Sequence, residues 1–330
     1  MAFVTGLLLI DAPAAALNMG KGEETTATVK TIRAGTQDYP YVSAQAFRYW
    51  LRHTLKTYYP EWQAAPIVTS GKGQKQQAYT EGDPIRYWDD DLLGYMRAVK
   101  DETRTRISPF RTSTLVSVMP VQIVEDFGVM ARQEDNPVLH SHEFYSTVLQ
   151  GLFSLNLSQV GTFSTSKRSG FLNLDDSLIE EAQRLGLEYV EVPGSLTGSY
   201  RLPLAERVIR VQTLLHALAR LEGGAHQTLH YTDVSPAFVI AAVTRGGNHP
   251  FHRVVTHQRG QVMINREVLN QVLGVLADDL LSDDIYVGVA GGFMEDAVEA
   301  FAEAGIPVMH PREALTELAA VLADHPEWWE

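Results

Sequence analysis

Six apolar-periodic segments follow one another as strand, helix, strand, strand, helix, strand, separated by long polar stretches in place of short turns. This succession constrains the fold most, because period and punctuation fix element type more firmly than propensity does. Val4 to Ile10 is short, branched and apolar, and ends at Asp11-Ala12-Pro13, as a fully buried first strand would. After a polar loop over 18–40, Ser43 stands where a helix needs its N-cap. Phe47, Trp50, Leu51, Thr54 and Leu55 then form one face at helical spacing. Ser113 to Met119 and Phe144 to Leu157 read as the second and third strands. Pro203 suits a first helical position, and Leu204, Val208, Val211, Leu215 and Leu218 recur up to a Gly223-Gly224 stop. Phe238 to Val243 completes the set as a buried strand. The expected class is α+β: the order is the split βαβ, ferredoxin-like pattern, whose four-stranded sheet is also the RNA-recognition architecture. Beyond residue 260 the pattern predicts a helix over 266–281, a strand over 285–290, a helix over 294–304, a strand over 306–309 and a helix over 311–323.

Charge is distributed unevenly. The net charge of −13 resides almost wholly in residues 261–330, which carry 14 acidic side chains and only Arg266 and Arg312 as bases. Residues 28–56 hold Lys30, Arg33, Arg48, Arg52 and Lys56 against Asp38 alone, and phosphate affinity depends on such local fields. Arg48, Arg52 and Lys56 line one helix side at i, i+4 and i+8, an arrangement that costs about 0.2–0.5 kcal/mol per pair unless something offsets it. The line is either a solvated face, a partner for carboxylates elsewhere, or a seat for a polyanion. Gly223-Gly224-Ala225-His226-Gln227 is either a helix stop or a place where a ligand backbone approaches closely.

Several chemistries lose their anchor. With no cysteine, disulfides and thiolate chemistry are excluded. Both Gly-Lys pairs are followed by Gly, so no P-loop exists, and His142-Glu143 lacks the second His of a zincin helix. Ser164-x-x-Lys167 has no partner elements and reads as loop. His226, His230, His249, His252 and His257 read as loop histidines or, without a completing carboxylate, as an unfinished metal set. Asp89-Asp90-Asp91 reads as a solvated turn or helix start, the alternative being a Mg²⁺ site. No apolar run approaches the ~20 residues of a membrane span, and the apolar start lacks a basic leader, so the expectation is a soluble, cytoplasmic protein with no membrane partner.

At these residues the sequence resembles the repeating backbone subunit of type I CRISPR Cascade complexes in its DevR-type form, within the RAMP superfamily. Ser43-x-Gln45-x-x-Arg48 after the first strand is similar to that family's S-x-Q-x-x-[RK] helix. Leu92-Leu93-Gly94-Tyr95-Met96 with Arg106-Ile107-Ser108-Pro109 resembles its D-L-F-G-Y-M and R-x-S-P segments. His142-Glu143-Phe144, the glycine loop, Thr232 to Pro236 and Arg245 to Phe251 follow in family order.

The resemblance implies a hand: an RNA-recognition/ferredoxin-like palm (1–56, 107–121 and 145–260 with an insertion at 161–201), fingers inserted at 57–106, a thumb hairpin at 122–144 and an acidic C-terminal α/β extension at 261–330. It implies that several copies grip the sugar-phosphate chain of a CRISPR RNA (crRNA) beside other Cascade subunits, leaving the bases to pair with target DNA. The RNA-binding residues it implies are Lys30, Arg33, Ser43, Gln45, Arg48, Arg52, Gly224, Ala225 and Gln227. Val129 and Met130 would form the thumb tip, and Lys72 and Lys75 would meet DNA or a neighbouring subunit. No catalytic residue, metal or cofactor is implied. The alternative within the superfamily is a metal-dependent endoribonuclease with a loop aspartate, for which Asp38, Asp89 or Asp126 would serve.

Overall fold

The structure is a computed structural model that describes residues 1–20, 26–70, 77–99, 102–130, 138–168, 172–191, 197–282 and 284–330. Its helices are α1 (Ala44–Tyr58), α2 (Trp88–Leu93), α3 (Asp176–Arg184), α4 (Leu204–Leu218), α5 (Arg266–Leu273), α6 (Glu295–Glu303) and α7 (Pro311–Val321). Val4 to Ile10 lies inside a longer strand, Ala2–Ala15, at the centre of the main sheet. The strand is continuously apolar because both sheet faces are covered: Val4, Leu8 and Ile10 enter one core, Leu7 and Leu9 the other.

Phe238–Arg245, Ala2–Ala15, Val138–Asn156 and Leu115–Ser117 are successive antiparallel neighbours, with Leu7 facing Ile240 on one side and Leu152 on the other. Tyr286–Val289 and Val308–Met309 extend the sheet at one edge, Gln37–Val42 and Thr31–Ala34 at the opposite edge. Helices α1, α4 and α7 cover the first core, while Phe251, Val254, Ile264, α5 and α6 cover the second.

Other segments depart from the sequence reading in specific ways. α5 stops at Leu273, where Gly274 ends the helix, and only a 3-10 turn (Ala277–Asp279) follows. The 161–201 insertion builds a three-stranded sheet with α3 around its own core of Phe163, Leu174, Leu178, Ala182, Tyr200 and Leu202. Val124–Met130 pairs antiparallel with the outer half of Val138–Asn156, Val124 opposite Phe144 and Met130 opposite Val138. Among the described residues, no helix is long and apolar enough to cross a membrane.

Asp89, Asp90 and Asp91 do start a helix, but they are buried, not solvated, and they point apart. Asp89 accepts from the Ala65 N–H at 2.7 Å; Asp90 accepts from the Thr80 hydroxyl at 2.6 Å and the Asp83 N–H at 3.0 Å. Burial, with the charge of Asp89, pushes the Asp90 carboxyl up to about 6. Asp91 is fully enclosed and accepts from Arg106, from Arg210 at 2.8 Å and from the Gly161 N–H at 3.0 Å. Replacing Asp91 by Ala strands two buried guanidinium groups, so D91A should cost about 3–5 kcal/mol of unfolding free energy in urea titration, against less than about 0.5 kcal/mol for the exposed Asp126→Ala.

His249 is a second, half-buried polar support. Its Nε2–H donates to the Gly6 carbonyl at 2.9 Å, fixing the neutral tautomer, and burial holds its pKa below 6.5. As pH falls through 6.5 the unfolded chain takes up a proton that folded His249 resists, so this residue's contribution to stability is lost on acidification. The stability difference between wild type and His249→Gln should therefore shrink from pH 7.5 to pH 5; a difference that is flat with pH would contradict this.

Candidate nucleic-acid interface

The N-terminus of α1 is capped by Ser43, whose hydroxyl accepts from the Ala46 N–H at 3.3 Å, a bond of the kind worth about 1 kcal/mol. Phe47, Trp50, Leu51, Thr54 and Leu55 are buried, as their spacing predicts. The opposite side leaves Gln45, Tyr49, His53 and Lys56 exposed, Tyr49 at 69%.

Arg48 and Arg52 do not form a free basic line. Arg48 donates to the carbonyl oxygens of Leu93 and, at 2.9 Å, Phe110, and to the Ser108 hydroxyl at 3.2 Å. It therefore ties α1 to the end of α2 and to the 108–110 turn. Burial, with the charge of Arg52, lowers its pKa to about 10, so it stays cationic. Arg52 is half-buried with its pKa lowered by burial, against the opposing pull of Asp89 and Asp90. The like-charge cost along α1 is thus offset from within the protein, by carbonyls at Arg48 and carboxylates at Arg52.

The glycine loop follows α4 and lies against α1. Gly223 (φ 156°) passes so close to Trp50 that a Cβ would lie 2.4 Å from the indole. Gly224 (φ 109°) has Leu17 where its own Cβ would be, at 2.6 Å. No other residue type fits this passage. The Ala225 N–H donates to the Leu17 carbonyl at 3.0 Å, and Gln227 bridges the turn, donating to the Gly223 carbonyl at 2.6 Å and accepting from the Thr232 N–H at 2.9 Å. His226 takes a left-handed conformation (φ 52°), rare for a residue with a Cβ. The loop is thus pinned at both ends, with short or absent side chains between.

The same region gathers the root of the 124–144 ribbon. His230 packs between Phe144 and His142, at ring separations of 4.9 and 5.0 Å, and His140 stacks on His142 at 6.3 Å. His142 Nε2 lies 3.7 Å from Asp126, and Glu143 accepts from the Val29 N–H at 2.8 Å. That last bond ties the loop carrying Lys30, whose ammonium has no ion-pair partner among the described residues. Arg33 is exposed but held by Asp38 through two bonds of 3.1 and 3.2 Å. On the ribbon's other face Phe127, Val129 and Leu139 are exposed, Phe127 at 72%. Met130 ends the described part of its strand, and Lys72 and Lys75 lie outside the described residues.

The structure thus brings Ser43, Gln45, Arg48 and Arg52 onto one helix and sets Gly224, Ala225 and Gln227 beside it. Sequence reasoning missed the imidazole stack, although alternation along a strand puts His140 and His142 on one face. Of the five histidines read as one group, His226 and His230 belong to the loop, while His249 serves the strand core.

A family model described as "CRISPR-associated negative auto-regulator DevR/Csa2" matches residues 12–262. No curated protein matches. Among solved structures, a chain of a CRISPR RNA-guided surveillance complex superposes with a TM-score of 0.56 at 13% identity, covering 97% of this chain and 99% of that one. A chain of a CRISPR RNA-guided surveillance complex in a pre-nicking state gives 0.57 at 12% identity, covering 96% and 99%. At such identities the likeness carries the fold alone. The match over most of the length settles kinship: the chain belongs to the CRISPR-associated DevR/Csa2 family.

Proposed function

We propose that this protein is a crRNA-binding backbone subunit of a type I Cascade complex, with no catalytic step of its own. The observation that carries the reading is the pinned glycine loop beside the exposed edge of α1. Backbone without bulky side chains at 223–225 lies against Trp50, and the exposed His53 of α1 lines the same cleft, which suits a ribose-phosphate track and reads no bases. Strand order also supports an RNA-recognition-type palm, and the paired 124–130 and 138–144 segments support a thumb. In this reading the guide's bases stay free for target DNA, and further copies and other Cascade subunits continue the track.

An endoribonuclease is disfavoured by where the carboxylates go. Asp38 holds Arg33, Asp89 holds the Ala65 N–H, and Asp126 faces His142.

The protein, produced with a CRISPR array, should purify with a protected RNA and raised absorbance at 260 nm; RNA-free protein that fails to bind added guide RNA would refute the reading. Lys56→Ala should flatten the slope of log affinity against log salt by about 0.7, the value for one contact to a single strand. Arg48→Ala should act differently, because its partners are internal. It should lose about 2–3 kcal/mol in urea titration, while Lys56→Ala leaves stability within about 0.5 kcal/mol of wild type.

A further inference from the structure

The glycine loop has a second side. Beyond α1, Gly223, Gly224 and Gln227 form one wall of an open cleft of about 550 Å³ whose other walls come from the end of α1, Arg220 after α4, the 231–235 segment and Arg312 in the first turn of α7. A neighbouring depression of about 590 Å³ shares Tyr231, Thr232, Asp233, Ser235 and Arg312, so the two adjoin as a shallow channel along this edge.

The charges along this channel are unusual for this chain. Arg312 is one of two bases among residues 261–330, and the other, Arg266, is paired with Glu303. Among the described residues, the guanidinium groups of Arg312 and Arg220 have no hydrogen-bond or ion-pair partner, and both are exposed. Their fields meet at one point, since each counteracts the burial that raises the Tyr59 phenol. Three acids line the channel beside them: Glu222, which accepts from the Tyr58 hydroxyl at 2.6 Å, Asp233, which accepts from the Ser235 N–H at 2.8 Å, and Asp11 in the second depression, so the arginines are the groups a phosphate must meet. Tyr231, 83% exposed, presents an open ring at the junction of the two depressions.

Two unpaired arginines, an exposed ring and a glycine wall are the parts of a single-strand site, where cations follow phosphates and a ring receives a base. We propose that this channel carries the next stretch of the same nucleic-acid strand, with Arg220 and Arg312 contacting phosphates and Tyr231 stacking a base. The inference rests on the RNA-binding reading and extends the track onto the acidic C-terminal part, beyond the residues the family model matches.

The test uses the full chain and a single-stranded RNA of mixed sequence, titrated at several salt concentrations. Arg220→Ala and Arg312→Ala should each lower the salt slope by about 0.7, Arg312→Lys should keep it, and Tyr231→Ala should weaken binding roughly tenfold with the slope unchanged. All three positions are exposed, so thermal midpoints matching wild type will show that folding is intact. If Lys56→Ala flattens the slope while Arg220→Ala and Arg312→Ala do not, the track ends at the glycine loop and this proposal falls alone. Arginine variants that keep the RNA slope but lose assembly with another protein subunit would also overturn it, making the channel a protein-docking surface. Failure of the wild type to bind RNA would remove both readings.

Discussion

The interaction on which the rest depends is the enclosed Asp91 carboxylate. One oxygen takes Arg106, the other takes Arg210, and the Gly161 N–H reaches both. Each partner sits on a different piece: Asp91 on α2, Arg106 on the strand Glu102–Arg106, Arg210 on α4, Gly161 in the turn after the long strand. The guanidinium groups are satisfied further by main-chain oxygens, Arg106 by Gln159 and Thr162, Arg210 by Pro84 and Ile85. A buried charge cluster is tolerable only when so completely bonded, because the desolvation cost of each ion is several kcal/mol. Its consequence is positional. The 57–106 excursion is fastened to α4 and to the turn at Gly161, and α1 acquires from it the Leu93 carbonyl, one of the two that hold Arg48.

The second consequence concerns where a ligand can go. In a bare four-stranded RNA-recognition sheet the face opposite the helices receives the bases. Here Phe251, Val254, Ile264, Val272 and Phe301 bury that face along Ala2–Ala15 and Phe238–Arg245. In the proposed function the RNA strand therefore takes the helix side, where α1 and the 223–227 loop meet. That surface offers main chain and scattered polar groups in place of stacking strands, which fits a protein that holds a backbone and leaves sequence reading to base pairing.

Much of this was legible in the chain itself, and the reason is locality. Ser43 and the α1 face are signals whose physics acts within a few residues, and both appear where their type predicts, whereas Pro203 falls one position early, at the N-cap of α4, and the paired glycines lie beyond the helix end at Leu218 as a close passage and not as its stop. What stayed hidden depends on distant partners. Arg210 is 119 positions from Asp91 and Gly161 is 70, so nothing local distinguishes these groups from solvated ones. α4 illustrates the point: its apolar period was visible, but Arg207 and Arg210 are buried between those positions because carbonyls and Asp91 await them. The internal acceptors of Arg48 were hidden for the same reason, coming from Leu93, Ser108 and Phe110.

The charge asymmetry takes on a structural sense once these positions are known. A C-terminal part carrying 14 acids and two bases repels a polyanion over most of its surface. That part is also what covers one sheet face and, through α7, completes the core on the other. Negative charge on the cover sets the field against phosphate over the closed sheet, while the open edge carries Arg220 and Arg312 among Glu222, Asp233 and Asp11. Of the two bases in the cover, Arg266 is neutralised by Glu303, and Arg312 stands at the edge itself. The acidic total is therefore compatible with binding nucleic acid, because what matters to a phosphate is the potential along its own path, within about a Debye length of ~8–10 Å, and not the sum over the molecule.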